Sequence, residues 1–198
     1  MNKFLAGTAL ATVLLVTSHA ARADYIVNGG FETGDFTGWT VTFDASVTDT
    51  ATFVTQAGFG FPGLPHSGSF YAALGAVGGD AHLSQTFADA AGQPLVISYW
   101  RSSDGSTPND FSVDFNGAPL IAETDIPQQD YTEFTFDVTA TGDDTLTIDA
   151  RNDPNYLGLD DVSVDNAGAV PVPEPASLGL LGAGLALVGL RRRRRKPA

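Results

Sequence analysis

Along the middle of the chain, apolar and polar residues take turns. Phe111, Val113 and Phe115 alternate with Ser112, Asp114 and Asn116; Phe134, Phe136 and Val138 alternate with Thr135 and Asp137; Leu146 and Ile148 alternate with Thr145, Thr147 and Asp149. A period of two sends successive side chains to opposite faces of an extended chain, so each run predicts a half-buried β-strand. Shorter apolar and β-branched stretches predict further strands over 25–27, 39–43, 51–55, 69–74, 81–87, 95–101, 119–123 and 157–164. Turn chemistry separates many of them: Asp104-Gly105-Ser106, Asn116-Gly117, Thr141-Gly142-Asp143 and Asp153-Pro154-Asn155. No amphipathic helix of usual length occurs in this region, and there is no solenoid or propeller repeat. About ten short strands in one domain predict an all-β fold, a single two-sheet β-sandwich of the jelly-roll type.

The two ends break the pattern. Lys3, an apolar run over 5–16 and the small-x-small triplet Ala21-Arg22-Ala23 have the layout of a secretory signal peptide, residues 1–23, leaving Asp24 as the expected mature N-terminus. The opposite end, 170–198, is built of three physically different segments. Pro171, Val172, Pro173, Glu174 and Pro175 form a stretch whose prolines remove backbone donors and favour an extended, polyproline-like chain that an active site can grip. An apolar run over 178–190 follows, 13 residues against the roughly 20 that a hydrocarbon core requires. Arg191, Arg192, Arg193, Arg194, Arg195 and Lys196 then form a basic block that stays cytoplasmic by the positive-inside bias. The arrangement resembles the PEP-CTERM sorting signal of Gram-negative bacteria. That resemblance implies recognition by an exosortase, a membrane-embedded transpeptidase-like enzyme that cuts near the Pro-Glu-Pro motif. It also implies inner-membrane anchoring before processing and a cell-surface or extracellular destination afterwards. A simple tail anchor is the alternative, although an anchor needs neither the Pro-Glu-Pro motif nor six consecutive basic residues.

Between the ends, residues 24–169 are long enough for one domain with a real core. The charge there is lopsided: 22 of the 23 acidic residues face only Arg101 and Arg151, a net charge of about −20. The value of −13 for the whole chain hides this, because most of its cations lie in the tail. Nucleic acid and anionic membrane surfaces would be repelled, which leaves divalent cations, neutral sugars and basic surfaces as partner classes, beside simple solubility. The chain has no cysteine, so export brings no disulfide framework.

Asn28-Gly29-Gly30-Phe31-Glu32, Gly34-Asp35-Phe36 and Gly38-Trp39 resemble the opening of galactose-binding-like and family 4/9/22-type carbohydrate-binding jelly rolls. His66-Ser67-Gly68-Ser69, Leu83-Ser84-Gln85-Thr86-Phe87, Gly92-Gln93, Tyr99-Trp100-Arg101 and Leu159-Asp160-Asp161-Val162-Ser163-Val164 continue the resemblance in order. In such modules a structural calcium lies between the opening glutamate and an aspartate of the final strand. The resemblance therefore implies Ca2+ at Glu32 and Asp160, with Asp161 a further candidate, and with carbonyls of residues 28–30 completing six to eight oxygens. Strand parity points the same way. Asp160 shares the parity of Val162 and Val164, so if the valines face the core it does too, and a buried carboxylate with no lysine in the domain needs compensation. The alternative is that Glu32 and Asp160 cap turns or pair with Arg151.

No catalytic signature is present: no Gly-x-Ser-x-Gly elbow, no His-Glu-x-x-His, no phosphate-binding glycine loop and no dinucleotide fingerprint. His66 is expected in a turn, and His82 facing solvent or pairing with an acid. The domain is read as non-catalytic. Flat aromatic faces suit pyranose rings. Trp39 and Trp100 adjoin strand runs and are expected in the core, whereas Phe59 and Phe61, in the glycine-rich loop 57–63, and Tyr156 are the sugar-binding candidates. The expected function is an exported surface or matrix protein with a calcium-stabilised, carbohydrate-binding-like module linked to exopolysaccharide or biofilm. The alternative is a structural or adhesive surface protein with protein partners.

Overall fold

A computed structural model describes residues 24–167. The expected signal peptide, the motif at Val172–Pro175, the apolar run 178–190 and the basic block 191–196 lie outside the described residues.

The regular elements are ten strands: β1 Thr40–Phe43, β2 Asp49–Thr55, β3 Tyr71–Val77, β4 Ala81–Ala88, β5 Pro94–Ser103, β6 Asn109–Phe115, β7 Ala118–Thr124, β8 Gln129–Thr139, β9 Asp143–Asn152 and β10 Leu157–Asn166. They form two five-stranded antiparallel sheets, one in the order β1-β4-β9-β6-β7 and one in the order β2-β3-β10-β5-β8. The chain crosses repeatedly between the sheets, so among the described strands only β2–β3 and β6–β7 are neighbours both in sequence and in a sheet. This is the expected all-β sandwich.

The alternation predicted in sequence is what builds the core. Leu83 of β4, Phe111 and Val113 of β6 and Leu146 and Ile148 of β9 point inward from the first sheet. Leu74 of β3, Leu95, Ile97 and Tyr99 of β5 and Leu157, Leu159 and Val164 of β10 meet them from the second. Each fully buried aliphatic side chain contributes about 1.5–3 kcal/mol of burial free energy. A large charged group, too, lies in this layer. Arg101, 1% exposed, lies over the Phe111 and Phe134 rings at 4.9 and 4.6 Å and reaches Glu123 on the edge strand β7 at 2.5 Å, tying the two sheets together.

Two local expectations change. Residues 25–27 are not a strand, and only a bridge between Asp24 and Asp165 forms there. Tyr25 N–H donates to Val164 C=O at 2.9 Å, and side chains take up the next groups: Gln85 accepts from Val27 N–H at 2.7 Å and donates to Val27 C=O at 3.1 Å, and Asp24 accepts from Ile26 N–H. The second change concerns Asp160. A β-bulge lies between Asp160 and Ser163, with Asp161 at φ 47°, and it resets the pleat. Leu157 and Leu159 face the core before the bulge, Val162 and Val164 after it. Asp160 pairs with Trp100 and therefore stands on the outer face of the second sheet; it is fully buried there because a loop covers it.

Candidate functional site

That cover is the β2–β3 connection, residues 56–70, which folds back over β3, β10 and β5. Carboxylates fasten it. Asp160 Oδ2 accepts the N–H groups of His66 and Ser67 at 2.8 and 3.1 Å, and Asp160 Oδ1 accepts Asp161 N–H at 2.8 Å. Asp161 takes the Ser67 hydroxyl at 2.7 Å and lies 2.7 Å from His66 Nδ1. Glu32 Oε1, reaching from the turn before β1, accepts Ser69 and Phe70 N–H at 2.8 and 3.0 Å. Gly68 leaves room for that glutamate, since a Cβ there would sit 2.3 Å from Oε1. Burial pushes the Asp160 carboxyl up to about 6; the Ser67 N–H pulls it back down and the Asp161 charge pushes it further up.

The three carboxylates expected to bind calcium are thus brought to one place, around Gly30, from which a Cβ would meet both Asp161 and Asp160 Oδ1. Their oxygens are turned toward N–H and O–H donors of the loop. Among the described residues no group of three or more His, Cys, Asp or Glu side chains is spaced to hold a metal ion. Arg151 pairs with Asp153 at 2.5 Å rather than with Glu32 or Asp160. The carboxylates fit a hard cation by type, but a cation would have to take over bonds that now hold the loop.

Beyond the carboxylates the loop carries rings. The His66 imidazole lies parallel to Trp100 at 3.8 Å and tilted against Tyr131 at 5.4 Å. Trp100, expected in the core, therefore faces outward with His66 upon it, whereas Trp39 is buried as expected, 8% exposed. Burial raises the Tyr131 hydroxyl above its ordinary range, and the Asp160 charge adds to this. Farther along, Phe59 and Tyr156 meet at 5.2 Å, and Phe53 of β2 closes a triangle at 4.8 Å from Phe59 and 5.5 Å from Tyr156. The Tyr71 hydroxyl donates to Phe59 C=O at 2.7 Å and accepts its N–H, which pins the loop beside these rings. Gly75 seats Tyr156: a Cβ there would lie 2.5 Å from the ring.

Phe59 and Phe61 are 38% and 37% exposed, and Leu64 beside them 57%. Phe59 and Tyr156 come together as expected. Phe61 is exposed on the same loop but belongs to none of the ring pairs among the described residues. Phe53 was not visible as a site residue, because one phenylalanine in a strand looks like core; its position opposite Ala73, on the outward parity of β3, is what places it here.

The outer face of the first sheet is different. His82 Nδ1 lies 2.6 Å from Asp149 and Nε2 3.2 Å from Asp44, and Asp149 also accepts from Ser112 at 3.4 Å. Both histidines among the described residues, His66 and His82, therefore sit against carboxylates, His82 as expected. Asp110 on the same face is pushed up to about 7 by burial, with the Asp80 carboxyl adding and Arg151 opposing.

Comparison with known proteins gives one sequence match and several structural ones. Residues 171–195 match the PEP-CTERM protein-sorting motif. A motif of this kind marks an exported protein with an exosortase-dependent sorting tail. The sandwich is similar to TmCBM61, whose structure was solved with β-1,4-galactotriose, at TM-score 0.56 and 20% identity over 73% of this chain and 99% of that one. It is similar also to the K3 cleaved adhesin domain of Lys-gingipain from Porphyromonas gingivalis W83, at 0.54 and 15% over 73% and 100%. A third likeness is to the active domain of tailspike protein 4 of bacteriophage CBA120, at 0.52 and 15% over 72% of this chain and 21% of that chain. At these identities the likenesses establish the jelly-roll fold. No curated protein matches the chain.

Proposed function

We propose that this chain is a surface or extracellular-matrix protein, routed by exosortase through its PEP-CTERM tail, whose sandwich is a non-catalytic glycan-binding module acting on exopolysaccharide or biofilm matrix. The observation that carries the binding part is the Phe53, Phe59 and Tyr156 triangle beside exposed Phe61, held on a loop that is fastened at many points. Rings fixed in place before binding cost little ordering when a sugar packs on them. The test is glycan-array binding by the purified chain and by its Phe59→Ala variant. Loss of at least about tenfold in affinity, about 1.4 kcal/mol, supports the site. Unchanged binding by the variant removes it.

Calcium at Glu32, Asp160 and Asp161 belongs to the same reading. It would act as a fastener for the loop, supported by three clustered carboxylates of which one is fully buried. Ca2+ binding only to the folded chain raises the melting temperature. A melting temperature unmoved by chelator, with the calcium content of the purified chain measured beside it, ends this part of the proposal.

A second reading is favoured by the bare acidic face around Asp44, Asp110 and Asp149: an adhesive protein that meets basic protein surfaces. A folded chain that binds no glycan on the array would move the weight to this reading.

A further inference from the structure

We infer that the aromatic patch takes single chains of a neutral polysaccharide and rejects uronic-acid or sulfated glycans and flat crystalline surfaces. The inference rests on the glycan-binding reading and goes beyond it in naming the ligand class.

The domain has few cations. No lysine occurs between residues 24 and 167, and the two arginines there are both engaged. Arg101 is buried against Phe111, Phe134 and Glu123, and Arg151 is held by Asp153 through Nε at 3.1 Å and Nη2 at 2.5 Å. His66 lies against Asp161 and His82 between Asp149 and Asp44. Among the described residues, then, each basic side chain already has its carboxylate. A sugar carboxylate or sulfate arriving at the patch would find no guanidinium or ammonium to replace its hydration shell, and it would enter the field of about 20 excess negative charges. Like-charge juxtaposition at an interface costs several kcal/mol. A neutral pyranose needs none of this, because its apolar face packs on a ring and its hydroxyls stay in water or bond to the backbone.

The rings of the patch cross at steep angles. Phe53 and Phe59 stand at 84°, Phe59 and Tyr156 at 75°, and Phe53 and Tyr156 at 69°. No two of these rings share a plane. A crystalline polysaccharide presents a flat sheet of sugar faces and is gripped by several coplanar rings; nearly perpendicular rings offer a flat face to one sugar at a time. The Tyr156 ring rests on Gly75 and the Phe59 backbone is clamped by Tyr71, which keeps the rings together.

Affinity electrophoresis of the purified full-length chain tests both arguments. Gels would contain neutral soluble polysaccharides (galactan, xylan, mannan, glucan) or polyuronates and sulfated glycans, and depletion by microcrystalline cellulose and chitin would be measured in parallel. The expected result is retardation by at least one neutral polymer, at least about tenfold weaker retardation by every anionic one, and no depletion by the crystalline powders. Raising salt from about 0.01 M to about 1 M shortens the screening length from about 30 Å to about 3 Å, and the neutral affinity should stay within about twofold. Placing a cation at the exposed start of the same loop, Gln56→Lys, should narrow the gap between anionic and neutral polymers. An anionic polymer bound as tightly as the best neutral one, or depletion by a crystalline powder, overturns the inference while leaving a glycan-binding module. If neither soluble class nor either powder is bound by a chain with an intact thermal transition, the module reading itself falls and the inference with it.

Discussion

The two outer faces of the sandwich are made of the same kind of strand and have opposite fates. On the first sheet His82, Ser84, Thr147, Asp149, Ser112 and Asp114 alternate with core residues and none of them is buried; the strands there show the plain in-out rhythm, as in β6 and β9. On the second sheet β3 is buried at six successive positions, because its outward residues Tyr71, Ala73 and Gly75 lie under the 56–70 loop and Tyr156. The lesson is that one exposed sheet face needs only polar side chains, whereas a covered face must satisfy the backbone of the cover. Asp160 and Glu32 do that here by accepting loop N–H groups, and Asp161 adds a bond from the Ser67 hydroxyl.

Asp160 is the residue on which the covered face depends most. Replacing it with alanine orphans the His66 and Ser67 N–H groups beneath the cover, and we expect a loss of about 3 kcal/mol, read from urea unfolding, together with early proteolytic cutting within 56–70. A stability change below about 0.5 kcal/mol would mean that the loop is held elsewhere. Next in size is Gly75→Ala, which pushes a methyl group into the Tyr156 ring. A cost of about 1–3 kcal/mol is expected, and neutral-glycan affinity should fall with it because the triangle opens.

The smallest effect belongs to the bare face. Burial works against the charged form of His82, but its hydrogen bonds to Asp149 and Asp44 outweigh burial and raise its pKa. A raised histidine pKa contributes stability that is fully present below the unfolded value of 6.5 and is lost as pH rises through the folded value. Asp110, raised from 3.8 to about 7, has the same slope: the native state holds its proton more tightly, so stability falls as pH rises across that interval. His82→Gln should flatten the upper part of the decline and Asp110→Asn the lower and middle part, as followed by urea midpoints against pH. Neither variant should alter glycan binding, since both sites lie on the first sheet.

Much of this was legible in the chain and some was not, for definite reasons. Period-two runs such as 111–115 and 145–149 located strands, and Asn116-Gly117 located the β6–β7 turn. Residues 25–27 misled because the pairing partner is the Gln85 side-chain amide, which no local pattern encodes. Glu32, Asp160 and Asp161 were grouped by resemblance; the parity argument for Asp160 found its burial but on the wrong face, because the bulge at Asp161 shifts the pleat by one residue.

By itself the sequence determined the strands, the acidic and lysine-free middle and the sorting motif, all of which depend on residue type and short-range spacing. Tertiary structure decided which face of the second sheet is covered, that Phe53 joins Phe59 and Tyr156, and that their rings cross instead of lying flat. The physical reason is that alternation tells which residues share a side without saying what lies on that side. The occupant of a face is chosen by chain segments that are far apart in sequence, and a single bulge is enough to exchange the faces.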